Sequence, residues 1–171
     1  MSRVGVQKER LLSRLSKIGR NYNFGSRIAI FKFHVSLAYM NDDPITILIA
    51  EDDPEDMELI VGAILVAEPT AHLHKFADGL SAVEYLRTRS EEDLPSLIIL
   101  DYNMPGLTGA QVLRSISTEE RYKLIPKVVL STSNAALHKY ECMRNGAAEY
   151  FVKPSSWKEL NDLAKTILKL R

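Results

Sequence analysis

The chain has 171 residues, enough for one ordinary domain that buries about two-thirds of its unfolded surface. Its 22 basic and 22 acidic residues cancel overall but are unevenly placed: residues 1–39 carry eight Lys/Arg against Glu9 alone, a net +7, and residues 40–171 a net −7. The acidic remainder argues against nonspecific nucleic-acid binding, which needs a positive footprint, and the single cysteine, Cys142, excludes an internal disulfide.

The basic N-terminal extension, residues 1–43, stands apart from the rest. Leu11, Leu12, Leu15 and Ile18 can line a short basic amphipathic helix. The apolar stretch from Ile28 to Met40 is too short to span a bilayer, and Lys32 and His34 make it a poor signal-peptide core. Its alternation (Phe31, Phe33, Val35, Leu37) also suits an edge strand. Three readings stay open. The extension is disordered or an over-long translation start, since Met40 before Asn-Asp-Asp-Pro is an ordinary beginning. Otherwise it binds a membrane surface or partner, or it adds a structural element.

From Ile45 onward strands and helices alternate. The spacing predicts strand Ile45–Ala50, helix Pro54–Ala67, strand Leu73–Phe76, helix Gly79–Thr88, strand Leu97–Leu100 and helix Gly109–Ser117. Strand Lys127–Leu130, helix Asn134–Asn145, strand Glu149–Val152 and helix Ser156–Leu170 follow. Met57, Ile60, Val61, Ile64 and Leu65 share one helical face, as do Leu160, Leu163, Ile167 and Leu170. Asp78-Gly79 marks a turn and Asn145-Gly146 a helix stop. Leu97–Leu100 and Val128–Leu130 are continuous apolar runs, as in strands covered on both faces. Five βα units predict an α/β fold, a doubly wound three-layer sandwich over residues 44–171.

Four strands end in chemistry. Ile45–Ala50 leads into Glu51, Asp52 and Asp53, and Leu97–Leu100 into Asp101. Val128–Leu130 leads into Ser131 and Thr132, and Tyr150–Val152 into Lys153-Pro154. In an open parallel sheet these ends share the edge where ligands bind. A phosphoryl group set against a carboxylate needs a divalent cation and fixed positive or hydrogen-bonding groups. Mg²⁺ or Mn²⁺ suits such oxygen donors. Asp52 and Asp101 fit as direct ligands, the backbone carbonyl of Asn103 as a third, and Glu51 acts through water. Lys153 pairs with the phosphoryl oxygens and Ser131 donates to one of them.

Four segments carry a resemblance: Ile-Leu-Ile-Ala-Glu-Asp-Asp-Pro (47–54), Leu-Asp-Tyr-Asn-Met-Pro-Gly-Leu-Thr-Gly (100–109), Val-Val-Leu-Ser-Thr-Ser (128–133) and Gly-Ala-Ala-Glu-Tyr-Phe-Val-Lys-Pro (146–154). In order, each after a strand, they resemble the receiver domain of two-component response regulators, over Ile45 to about Leu170. The resemblance implies a flavodoxin-like sheet of order 2-1-3-4-5. It implies Asp101 as phospho-acceptor, Glu51 and Asp52 as the acidic pair, Ser131 and Tyr150 as the switch residues, Lys153 as the phosphoryl-binding lysine, and a cis Lys153–Pro154 bond. Thr108 stands where the family usually has Asp, and Thr132 where Ala is common; both are expected to leave phosphorylation intact and tune its lifetime. The Leu-Ser-Thr-Ser run and Asp78-Gly79 to Leu86 resemble most the single-domain, phytochrome-associated type.

The implied function is a single-domain cytoplasmic switch in a phosphorelay. It takes a phosphoryl group from a sensor histidine kinase or phosphotransfer protein and acts on a downstream protein target or as a homodimer through the fourth helix, fifth strand and fifth helix. It binds no DNA, and it is no enzyme beyond assisting its own phosphoryl transfer and hydrolysis. An aspartate-nucleophile phosphohydrolase is the first alternative, but Asn103 stands where that class wants a second Asp. A phosphorylation-independent scaffold is the second. No Gly-rich turn follows the first strand, which disfavours a dinucleotide-binding module. Cys142 is expected to be a buried small hydrophobe, and His72, His74 and His138 ordinary histidines. Trp157 is expected to pack, and Leu137, Tyr140 and Met143 to pack or line a partner surface.

Overall fold

The computed structural model describes residues 45–171; the expectations for the extension, residues 1–43, lie outside them. Five parallel strands form one sheet in the order β2-β1-β3-β4-β5: β1 Thr46–Ala50, β2 His72–Phe76, β3 Leu97–Asp101, β4 Lys127–Ser131 and β5 Glu149–Val152. Among the described residues five α-helices follow the strands: α1 Pro54–Ala67, α2 Gly79–Thr88, α3 Gly109–Ile116, α4 Ala136–Arg144 and α5 Trp157–Leu168. This is the expected doubly wound α/β sandwich with the expected strand order.

The two-residue period of the strands builds two cores. Ile47, Ile49, Leu97, Ile99, Val128 and Leu130 face α1 and α5, where Ile60, Ile64, Leu160 and Ile167 meet them. Leu48, Ala50, Ile98, Leu100, Val129 and Tyr150 face α2, α3 and α4, where Val83, Leu86, Leu113 and Cys142 meet them. Each Leu or Ile so covered contributes about 1.5–3 kcal/mol of burial free energy. Cys142 is fully buried, as expected, and burial pushes its thiol up to about 11, so it stays protonated.

Capping side chains set the helix starts. Asp53 accepts from the N–H groups of Glu55 (2.8 Å) and Asp56 (3.0 Å), with Pro54 opening α1. Asp78 accepts from Ser81 N–H at 2.7 Å to start α2. Thr108 and Gln111 form a reciprocal capping box at α3, so the Thr in place of the usual Asp has a local structural use.

Several expectations need correction. β3 and β4 run one residue further, through Asp101 and Ser131, because their ladders continue to Leu130 and Val152. α4 starts at Ala136, two residues late, since Ser133 Oγ accepts from Ala135 N–H and holds the preceding segment in a turn. α5 stops at Leu168, which is buried in place of the exposed Leu170, and Leu65 lies outside the buried stripe of α1. Every peptide bond among the described residues is trans, Lys153–Pro154 included, against the cis bond that the resemblance implied. Trans is the lower state of an X–Pro bond by about 0.5–1 kcal/mol. The trans chain still lets Lys153 N–H donate to Ser131 O at 2.7 Å, continuing the β4–β5 ladder.

Candidate functional site

Main-chain bonds continue past the strand ends and fix the loops that bear the polar residues. Glu51 N–H donates to Phe76 O at 2.9 Å, and Tyr102 N–H to Leu130 O at 3.0 Å. Glu51, Asp101, Ser131 and Lys153 therefore arrive at one edge on rigid backbone. Asp52 is exposed at the mouth, while Glu51 and Asp101 are buried.

Lys153 joins the expected residues. Its Nζ lies 2.7 Å from Asp101 Oδ1, 2.7 Å from Glu51 Oε2 and 2.7 Å from Asp56 Oδ2. Burial works to lower the lysine's pKa, but its contacts with Asp101, Asp56 and Glu51 outweigh burial and hold it above the ordinary value. Glu51 moves the other way. Burial pushes its carboxyl up to about 7, Asp101 adds to the rise, and Lys153 opposes it only in part. Asp101 Oδ2 accepts from Asn103 N–H, which turns the loop back over the carboxylate.

Carboxylate oxygens of Glu51, Asp52 and Asp101 all lie within 4.8 Å of one another. Three hard oxygen donors at that spacing, one of them with a carboxyl pushed up by burial and by the neighbouring Asp101, fit a divalent cation of the Mg²⁺ type. Asn103 lies at the exposed mouth beside them.

Ser131 is fully buried, and its Oγ accepts from Ser133 N–H at 3.1 Å. Tyr150 is buried too, its hydroxyl donating to Ser133 O at 2.7 Å. The two residues therefore meet through one turn of the loop between β4 and α4.

Sequence reasoning missed Asp56 and the surroundings of Tyr102. Asp56 stands four residues before buried Ile60, so a carboxylate on the apolar stripe of α1 was the available signal. Tyr102, next to Asp101, stacks on His138 at 4.1 Å and meets the edge of Tyr150 at 6.4 Å. Its hydroxyl donates to Glu141 Oε2 at 3.0 Å, and burial followed by Glu141 pushes it up to about 12. His138 is thus half-buried against an aromatic ring, and His72 is exposed. Leu137, Tyr140 and Met143 are exposed on α4, and Trp157 is half-exposed, with its ring over Gly62 of α1.

Residues 47–165 match the model of the response regulator receiver domain. The chain belongs to the response regulator receiver family. Among receivers of known structure, it is similar to a phosphorylated cyanobacterial phytochrome response regulator, RcpA, with 30% identity and a TM-score of 0.67 over 74% of this chain and 92% of that one. The Mn²⁺-bound response regulator Rcp1 is similar at 30% identity and a TM-score of 0.64, over 72% of this chain and 91% of that one. A probable methanogenesis regulatory protein, FilR2, of Methanothrix harundinacea is 32% identical over 74% of this chain and 83% of its own length. The two-component response regulator ARR8 of Arabidopsis thaliana is 26% identical over 73% of this chain, which spans 61% of that relative. Receivers of this family work in two-component phosphorelay signalling. Among the described residues, no helix of this receiver is long and apolar enough to cross a membrane.

Proposed function

We propose that residues 44–171 act as a phosphorylation switch with Asp101 as acceptor. The observation that carries this reading is the Asp101 carboxylate, buried at a strand end, 2.7 Å from Lys153 Nζ and within a cluster of two further carboxylates. Asp52, Asp101 and the Asn103 carbonyl, with Glu51 acting through water, would hold Mg²⁺ or Mn²⁺, which when bound neutralises charge on the transferring phosphoryl oxygens. Asp101 Oδ attacks phosphorus of a partner's phosphohistidine. The N–P bond breaks with its electron pair on the imidazole, which takes a proton from solvent, and an aspartyl phosphate remains. Lys153 pairs with a phosphoryl oxygen and Ser131 Oγ donates to another.

Ser131 cannot turn toward Asp101 without disturbing its bond from Ser133 N–H, and Ser133 O holds Tyr150. Phosphorylation therefore moves the β4–α4 loop and with it Tyr150, a local charge change that biases a packed two-state element. The phosphoryl donor upstream is a histidine kinase or phosphotransfer protein, and the reader of the change downstream is a protein target or a second copy through α4, β5 and α5. Exposed Leu137, Tyr140 and Met143 support an interaction surface there. A cytoplasmic setting suits this traffic.

Intact-mass spectrometry after incubation with acetyl phosphate tests the reading. One Mg²⁺-dependent phosphoryl adduct is expected on the wild type and none on Asp101→Asn. An adduct of equal yield on Asp101→Asn would overturn the assignment. Sustained phosphate release at high turnover would favour a hydrolase.

A further inference from the structure

Asp56 belongs to none of the sets described above. It lies in the first turn of α1, outside the group of carboxylates close enough to share a cation. Yet its Oδ2 meets Lys153 Nζ at 2.7 Å, as do Glu51 and Asp101. The three contacts differ in quality. Only the one to Asp56 has the directional geometry of a hydrogen bond; those to Glu51 and Asp101 are ion pairs by proximity. The acidic side chain is itself well placed. Asp53 accepts from Asp56 N–H at 3.0 Å, so the N-cap that starts α1 also fixes the backbone from which Asp56 reaches the lysine.

The lysine has three N–H donors and three carboxylates around it. When Asp101 takes a phosphoryl group, its carboxylate becomes an acyl phosphate, and Glu51 has a cation to serve. Two of the three carboxylates thereby change partner during the reaction. Asp56 alone keeps its role, because it touches neither the acceptor oxygen nor the cation donors. A long, flexible lysine side chain with one fixed anchor keeps its ammonium over the site; without it the side chain has four rotatable bonds to spend elsewhere.

We propose that Asp56 is the positioning residue for Lys153, holding the ammonium in place for phosphoryl transfer to Asp101 from outside the cation-binding set. The inference rests on the acceptor role of Asp101 given above and adds a residue to it. Asp56 acts through the lysine and is not itself a catalytic group.

A double-mutant cycle tests it. Adduct formation from acetyl phosphate at saturating Mg²⁺ is timed by intact mass for wild type, Asp56→Ala, Asp56→Asn, Lys153→Gln and both double variants. In parallel, Mn²⁺ alone is titrated and the free ion followed by electron paramagnetic resonance. Asp56→Ala is expected to slow adduct formation about five- to tenfold, the worth of one charge-assisted bond discounted for partial exposure. Asp56→Asn, which keeps the oxygen and loses the charge, is expected to fall between. In the Lys153→Gln background neither change should slow the reaction further, and Mn²⁺ affinity should stay within about twofold of wild type.

Equal slowing with and without the lysine would overturn the proposal, as would an unchanged rate in Asp56→Ala. A fall in Mn²⁺ affinity matching the fall in rate would place Asp56 among the cation ligands instead, and also overturns it. If Asp56→Ala does not fold, the near-isosteric Asp56→Asn carries the same cycle. A wild type that takes up no phosphoryl group sinks the acceptor reading and this inference together. A normal wild type with an indifferent Asp56 sinks only the latter.

Discussion

Glu51 is 2% exposed, with Lys153 bridging it to the Asp101 carboxylate, and burial first, then Asp101, push its carboxyl from 4.5 up to about 7. The folded protein therefore holds a proton that the unfolded chain releases near pH 4.5. The stabilisation linked to that proton is fully present below pH 4.5 and is lost as pH rises through about 7. A shift of this size corresponds to a change on the order of 3 kcal/mol. Metal-free protein should accordingly lose urea stability between pH 4.5 and 7, while Glu51→Gln, which is neutral in both states, should have a flatter profile. Urea titrations across that window compare the two. Parallel profiles would mean that the site tolerates the Glu51 charge without cost. The same sign makes cation binding tighter as pH rises, since the cation competes with a proton at Glu51.

At the scale of elements, α3 is pressed against the end of β3. A Cβ on Gly109 would stand 2.5 Å from Asp101 O and 3.2 Å from Tyr102 Cα, both main-chain atoms that cannot swing aside. Gly106, three residues earlier, has φ +76 and open space around it. The two glycines are needed for different reasons, and alanine separates them. Gly109→Ala should destabilise by about 1–3 kcal/mol through overpacking and slow phosphorylation, because the strain falls on the main-chain carbonyl of the proposed acceptor, Asp101. Gly106→Ala should cost about 1–2 kcal/mol through its left-handed backbone with little change in rate. Chemical denaturation and adduct timing on both variants check this; equal slowing would show that the loop, not the α3–β3 contact, governs the acceptor. The same contrast explains what the sequence made legible. The starts of α1 and α2 were readable because Asp53-Pro54 and Asp78-Gly79 cap locally. The start of α4 was not, since Ala135 offers no capping side chain and the turn is made by Ser133. Glu51, Asp101, Ser131 and Lys153 could be read because each follows an apolar run. Asp56 and the Tyr102–His138–Glu141 contacts could not, because they depend on which helices the fold brings together. Trp157 shows the same limit: that it packs was readable, but that it lies over Gly62 was not.

Across the whole domain, the site joins parts that are distant in sequence. Glu51 and Asp52 follow β1, Asp101 ends β3, and Lys153 links β5 to α5. A cation held by Glu51, Asp52 and Asp101 would tie β1 to β3 at their C-terminal ends, and the unfolded chain keeps no such arrangement. Binding to the folded state alone stabilises it by mass action, about 1.4 kcal/mol at ten times the dissociation constant. For a domain of this size that is a rise in Tm of roughly 5 °C. Simple screening of the clustered carboxylates would also raise Tm, but it follows ionic strength and not the identity of the ion. Thermal melts in MgCl₂ and in KCl of matched ionic strength separate the two. The rise should occur in MgCl₂, remain small in KCl, and disappear in Asp52→Asn, whose exposed carboxylate has no other bond to lose among the described residues. An equal rise in KCl, or one that survives Asp52→Asn, would reduce the cluster to a screened patch of charge. A rise confined to the divalent ion and dependent on Asp52 would make the cation a structural link between the two strands, in place before any phosphoryl group arrives.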